Sequence, residues 1–320
     1  MGKFVRQLLP FGSLTLIICI LSALEPDTFL TTENLLNILR RSSVNGIIAI
    51  GMTSIIISAG IDLSVGSMLA LSGMVGAYAM IAIGGSDPQG SSLIIGTALG
   101  IVIGVICGFT NGVLITKLKL QPFIVTLGTM SVFRGISYVM NNGQPYNVPS
   151  YKYLGEGIVL GLPISVIIFG VIIAIAGFLL KYSRLGRYTY AIGSNRVAAF
   201  HAGVNVDRNL IYIYTFTGLL VGIAAMIATS RTVSAQPTAG IALELDIIAA
   251  VVIGGASLAG GRGTITGTIT GTLLISVLRN GCTLLGISTH VQLIVIGMII
   301  ILAVAVDQLA QTKTSELQAP

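Results

Sequence analysis

Long apolar runs dominate this chain, and they constrain its fold more than any motif does. About ten of them follow one another with only short polar stretches between, at roughly 8–24, 43–60, 64–83, 92–116, 123–141, 158–180, 209–229, 246–261, 264–280 and 290–308. About 20 apolar residues cross a bilayer core, and tilt or burial within a bundle allows somewhat fewer. Backbone polar groups in that core must be paired inside the protein, so runs of this length are read as helices. The expected fold class is an all-α polytopic membrane protein of about ten transmembrane helices, forming a single domain over residues 1–320. Charge agrees. Seventeen Lys and Arg with 11 Asp and Glu make up 9% of the chain, against about 25% in soluble domains. That excludes an ordinary soluble enzyme, and 54% hydrophobic content excludes a disordered chain. Forty glycines and no tryptophan suit helices whose backbones approach closely.

The formal net charge of +6 sits between apolar blocks, where basic residues orient loops rather than bind nucleic acid. The densest basic stretch, about 181–208, holds Lys181, Arg184, Arg187, Arg196 and Arg208. Placing it in the cytoplasm with Lys117, Lys119, Lys3, Arg6 and Lys313 puts both termini inside. Arg40 and Arg41 then fall on the wrong side, and residues 32–39 read as a short amphipathic helix on the interface, with Thr31 or Thr32 as N-cap. Met1–Arg6 ahead of an apolar run imitates a signal peptide, but with many further blocks it is read as a retained first span. Position 6 after Gly2 is Arg rather than Ser or Thr, so the myristoylation pattern fails. Cys19, Cys107 and Cys282 lie in or beside separate blocks and read as small buried hydrophobes, with no metal or disulfide framework.

Residues 46–60 and 246–260 both begin near IIA and end in AG, with Asp62 and Arg262 two residues beyond. As an internal pseudo-repeat, this would set Asp62 and Arg262 facing each other near the centre.

Three polar constellations stand out. Gly60-Ile61-Asp62-Leu63-Ser64-Val65-Gly66-Ser67 places a carboxylate and hydroxyls between two apolar blocks. An ionised group at membrane depth survives facing protein or water, so Asp62 with Ser64 either caps the following helix or meets solute. In the basic loop, Ser194 or Asn195 can cap a helix of about two turns and Gly203 can end it. Val197, Phe200 and Val204 would form one apolar stripe, seated on lipid or on a cytoplasmic partner; His201 reads as a surface side chain. The third runs through Ser234-Ala235-Gln236-Pro237-Thr238-Ala239-Gly240 to Glu244-Leu245-Asp246 on the opposite side. Its Gln236, Glu244 and Asp246 could line an external vestibule for hydroxyl-rich solutes, although turn chemistry also explains its Pro and Gly. Arg134 and Arg279 read as snorkelling side chains. Glycine pairs 254/255, 260/261 and 267/271 read as seams along which helices slide. No P-loop, HExxH or GxSxG occurs, so neither ATP binding nor membrane enzymology by this chain is expected.

These residues carry a resemblance. GIDLSVGS (60–67), QPFIVTLGTMSVFRG (121–135), LGRYTYAIGSN (185–195), AAFHAGVNV (198–206), SAQPTAG (234–240), LELDIIAAVVIGGASLAGGRG (243–263) and NGCTLLGIS (280–288), with Asp307 beyond, resemble the ribose-type permease subunits of bacterial ATP-binding-cassette sugar importers. The likeness spans about residues 20–308. Two departures are Thr283-Leu284-Leu285-Gly286, where relatives often carry Asn-Leu-Leu-Gly, and Ile296 before Gly297, where they often carry lysine. The resemblance implies a multi-pass permease domain of the bacterial inner membrane, conveying a monosaccharide and doing no bond chemistry. Its implied partners are cassette ATPase subunits, an extracytoplasmic sugar-binding protein and a second permease copy in a homo- or heterodimer. ATP and Mg would sit on the ATPase and no cofactor or metal on this chain. By the same likeness, Gly193, Asn195, Ala198, Ala199, Phe200, Gly203 and Val204 would couple to the ATPase. Asp62, Ser64, Gln236, Glu244, Asp246 and Arg262 are the candidates for the path or gate. The alternatives by residue class are an ion-coupled secondary carrier for a small polar solute, a passive channel and a membrane-embedded enzyme.

Overall fold

The computed structural model describes residues 3–316, with side chains over 10–302, 304 and 305. The readings that rest on Gly2 and on the side chains of Lys3, Arg6, Asp307 and Lys313 lie outside the described residues. In chain order come α1 (Lys3–Leu24), the single turn α2 (Pro26–Phe29), α3 (Thr32–Ile57), α4 (Val65–Gly84), α5 (Ser91–Lys117) and α6 (Pro122–Val139). A connecting stretch carries β1 (Tyr146–Asn147), α7 (Tyr153–Glu156), β2 (Ile158–Val159) and β3 (Leu162–Pro163). Then come α8 (Ile164–Tyr182), α9 (Arg184–Ser194), α10 (Arg196–His201), α11 (Val206–Thr232), β4 (Ser234–Ala235), α12 (Leu243–Ile253), α13 (Ile265–Leu284) and α14 (Thr289–Glu316). Among the described residues, α4, α5, α6, α8 and α11 are long and apolar enough to cross a membrane.

Capping chemistry sets many of the boundaries. Thr31 accepts from the Asn34 N–H, Ser183 from Gly186, Asn205 from Arg208 and Thr264 from Gly267, each satisfying a donor the first turn leaves free. Pro122 opens α6, where its missing N–H costs nothing. Because no breaker separates residues 32–39 from residues 40–57, they are not a separate interfacial helix but the opening turns of α3, which carries Arg40 and Arg41 inside it. The run at 158–180 begins as the β2–β3 hairpin and turns helical only at Ile164.

The largest departure concerns 246–261, expected to be a span. Its helix, α12, has 11 residues and stops at Gly254, because Gly255, Gly260 and Gly261 take φ of 92°, 87° and 71°. Such conformations come at little steric cost only to glycine. The segment ahead of α12 is irregular too. Ala235 lies against Gly73, while Gly240 and Glu244 lie against Gly66. The stretch 235–244 therefore runs along α4 from its middle to its start, with Ala235 and Pro237 buried and Gln236, Thr238 and Ile241 exposed. β4 pairs antiparallel with β1, Tyr146 opposite Ala235 and Asn147 opposite Ser234.

The centre of the bundle is α3, α4 and α11, rich in fully buried side chains such as Ile47, Met52, Ile56, Met68, Met74 and Tyr214. Helices α5, α6 and α8 bury one face and leave apolar side chains bare, including Ile94, Val102, Ile106, Val139, Val171 and Phe178. That is the arrangement a lipid-facing helix requires. Of the cysteines only Cys107 is buried; Cys19 is exposed and Cys282 half-buried, so the expectation of three buried thiols holds for one.

Helix α5 carries a glycine every fourth residue: Gly96, Gly100, Gly104, Gly108 and Gly112. This ladder faces α4 at its first rungs and α11 lower down, where Gly104 and Gly108 meet Gly218, and Gly104 also meets Gly222. A side chain at any of these rungs would strike backbone or a buried methionine. Gly218→Leu should therefore destabilise the detergent-solubilised chain by at least about 1–3 kcal/mol. Gly135→Leu, at a site with open space around it, should leave the melting curve in place; thermal melting of both variants checks the contrast.

Candidate functional site

Backbone meets backbone without intervening side chains at one end of the bundle. Gly193, near the end of α9, lies so close to the Ile57 carbonyl oxygen at the end of α3 that any side chain there would collide with it. Gly261 donates its N–H to that same oxygen at 2.8 Å. Gly260 packs on Ala59 and on the Gly193 carbonyl, and Tyr190 donates its hydroxyl to Gly263 O at 2.7 Å. Burial pushes the Tyr190 hydroxyl above its ordinary pKa, so it stays a neutral donor. One joint thus ties α9 to the ends of both segments that carry the sequence echo, 46–60 and 246–260.

Helix α10 hangs below this joint. Asn195 caps it, accepting from the Ala198 N–H at 2.9 Å, and Gly203 ends it with φ 83°. Val197 and Phe200 stand exposed, at 66% and 67%. Ala198 is exposed as well, whereas Ala199 and Val204 are buried. The three-residue stripe is therefore two residues: Val204 turns inward because Gly203 reverses the chain just before it. An exposed Arg196–Asp207 pair at 3.6 Å links α10 to the start of α11.

Asp62 is fully buried. Its Oδ1 accepts from the Ser64 N–H at 2.8 Å and from the Ser64 hydroxyl at 2.6 Å. Asn111 of α5 donates to Ser64 Oγ at 2.8 Å and to Asp62 Oδ2 at 3.4 Å. The N-cap position of α4 belongs to Ser64 rather than Asp62, so the carboxylate holds the cap residue instead of capping the helix itself. Two residues on, Gly66 seats Gly240 and Glu244. The Asp62–Ser64 network thus fixes the first turn of α4, against which the irregular stretch 235–244 rests. Arg262 is exposed at the joint end and does not face Asp62; the Asp62 carboxylate is already occupied by Ser64. Asn111 escaped the sequence reading, since a lone amide in an apolar run carries no spacing signal.

Arg134 does not snorkel. It donates to the carbonyls of Pro237 and Ala239, each at 2.6 Å, and so pins the irregular stretch to α6. Gln236 is exposed and Glu244 half-buried. They flank the region Arg134 holds. Asp246 is not available to a solute, because Arg279 grips it through two bonds of 2.7 Å. Arg279 is thereby anchored to α12 rather than reaching for headgroups. Beside it, Asn280 and Asn34 exchange amide hydrogen bonds of 2.7 and 3.1 Å. The glycine pairs also divide: Gly267 and Gly271 press on the Gly254 and Ala250 carbonyls, whereas Gly255, Gly260 and Gly261 serve as turns.

Toward the end opposite the joint, Arg40, Arg41 and Arg231 line a cavity of about 570 Å³ with Asn37, Glu156 and Asn280. No carboxylate pairs with these arginines among the described residues. The misfit of Arg40 and Arg41 in the charge pattern has this cause: they belong to a cationic cavity, not to a topology-setting loop.

The family described as the branched-chain amino acid transport system / permease component matches residues 34–304. The chain is 43% identical to the ribose import permease protein RbsC of Haemophilus influenzae, over 98% of this chain and 96% of that one. It is 46% identical to the protein of the same name in Bacillus subtilis, over 95% and 93%. With the D-allose transport system permease protein AlsC of Escherichia coli it shares 40% identity over 93% and 90%. No solved structure matches the chain.

Breaking the buried pair from one side should be costly. Arg279→Met leaves the Asp246 carboxylate unpaired, at about 3–5 kcal/mol. The double variant Asp246→Leu/Arg279→Met should recover much of that loss, as read by thermal melting of the purified chain.

Proposed function

We propose, from the premise that this chain belongs to the branched-chain amino acid transport system / permease component family, that it is the permease subunit of an ATP-binding-cassette importer in the bacterial inner membrane. It forms the translocation path for a monosaccharide, ribose or a related sugar, delivered by an extracytoplasmic binding protein. The carrying observation is near full-length similarity to ribose import permeases, with the segments that build the joint and the irregular stretch all inside the matched region. The chain crosses the membrane ten times with both termini in the cytoplasm. Residues 233–242 together with α12 count as one crossing, half extended and half helical. Irregular backbone at that depth is tolerated where it is packed in protein or lines a water-filled path, and transporters of other families place their sites at such broken helices.

Helix α10 is the cytoplasmic peg. Val197 and Phe200 enter a groove on the ATPase, the helix-in-groove mode of recognition, while Gly193, Asn195, Ala198, Ala199, Gly203 and Val204 shape and seat the peg. This chain holds no nucleotide or cofactor; ATP and Mg stay on the partner. When the ATPase subunits close, α10 and α9 move, and the joint at Gly193 passes that movement to α3 and to the 254–264 loop at once. The loop displaces α12, and with it the stretch bearing Gln236 and Glu244. A second permease copy, identical or related, supplies the facing wall. The permease contributes two packings of nearly equal stability, and ATP and the loaded binding protein shift the balance between them. At the other end, the unpaired Arg40, Arg41 and Arg231 suit an acidic patch of the binding protein, a contact strengthened at low salt.

Phe200→Glu tests the peg without touching the core, since Phe200 is exposed. Pull-down of the tagged variant from native membranes should recover at least about tenfold less ATPase, with the chain itself monodisperse. Undiminished ATPase recovery would overturn the peg. Wild-type chain that never brings down an ATPase, yet drives uptake in liposomes under an ion gradient, would replace the importer by a carrier.

A further inference from the structure

A second cavity, of about 700 Å³, opens between the last turns of α8, the first turns of α9 and the start of α13. One wall is apolar, made by Ile173, Phe178 and Leu180 with Ile265 across from them. The mouth carries Lys181 and Arg187. Neither has a carboxylate within ion-pair distance among the described residues: Arg187 donates to the Tyr182 carbonyl at 3.1 Å, and the Lys181 ammonium lies 5.1 Å from the Tyr182 ring centroid. The wall continues into the bare apolar face of α8, where Val171, Ile175 and Phe178 stand exposed. Gly177 deepens the groove between wall and mouth, because nothing lies within 4 Å of where its side chain would be.

We propose that this groove is a binding site for one anionic phospholipid, its phosphate between Lys181 and Arg187 and an acyl chain along α8 past Gly177. Three features of the site favour a lipid over a soluble anion or a protein. The cationic mouth and the apolar wall lie in series along the helix axis, which matches headgroup followed by chain. Two cations stand at the end of a membrane-crossing helix, where they meet the negatively charged leaflet, and basic pockets between helices at that level bind acidic headgroups. The wall opens sideways onto a face that is apolar and unpartnered. The site adjoins the joint, since Tyr190 and Thr264 border both. Bound lipid would therefore hold α9 against α13 at the place where α9 meets the α12–α13 loop. The proposal rests on the chain crossing a bilayer and not on what it transports.

Native mass spectrometry of the full chain, released from nanodiscs of mixed phosphatidylglycerol and phosphatidylethanolamine, tests it. Wild type should retain one phosphatidylglycerol in clear preference to phosphatidylethanolamine, and added inorganic phosphate should not displace it. Lys181→Ala/Arg187→Ala should lower the retained fraction at least about fivefold. Gly177→Trp, which fills the groove and leaves both charges in place, should lower it comparably. Thermal melting of each variant under lipid-free conditions checks that the fold survives. Equal retention of the two lipids, or retention unchanged in both variants, would overturn the proposal. Displacement by inorganic phosphate alone would also overturn it, making the mouth a site for a free anion.

Discussion

Close approach of backbones is the constraint on which the rest of this structure depends. Lipid is as apolar as leucine, so helices in a membrane gain little from hiding apolar surface against one another; they cohere through contact area and internal hydrogen bonds. Here the contact is made by glycine. The every-fourth ladder on α5 lets α11 and α4 lie against it. Gly254, Gly267 and Gly271 do the same for α12 and α13, and Gly193 brings α9 onto the end of α3. Helices drawn this close leave little room between them, and several interior polar groups are held by near neighbours at short range. Thr53 shares a hydrogen with Thr268 at 2.6 Å, and Ser230 accepts from the Gly155 N–H at 3.0 Å.

The interior charges share a pattern. Asp246 is answered by Arg279, Arg134 by two carbonyls, and Asp62 by Ser64 through two bonds and by Asn111 at 3.4 Å. Each therefore does positioning work on an irregular segment: α12, the stretch 235–244, and the entry into α4. Arg40, Arg41 and Arg231 at one end and Lys181 and Arg187 at the other have no carboxylate partner among the described residues and line openings instead.

Much of the helical plan was legible in the apolar runs, because chain length against bilayer thickness is a strong filter. It failed at 246–261, where hydropathy counts residues but does not see that glycines beyond residue 253 adopt left-handed conformations. At 234–240 turn chemistry accounts for the Pro and Gly, but nothing local shows that Arg134 binds the Pro237 and Ala239 carbonyls. The small caps were readable: Thr31, Asn195 and Gly203 all sit where local chemistry puts them. Partners distant in sequence were not, since nothing in the local pattern joins Asp62 to Asn111 or Asp246 to Arg279. Arg40 and Arg41 broke the charge pattern because a rule about loops does not govern residues inside a helix.

The joint at Gly193 is made of main chain: a carbonyl oxygen from Ile57, an N–H from Gly261 and the bare α-carbon of Gly193. A coupling built this way is indifferent to the chemistry of nearly every side chain around it. Side chains around it can therefore change without loosening it, so long as positions 193, 260 and 261 stay glycine.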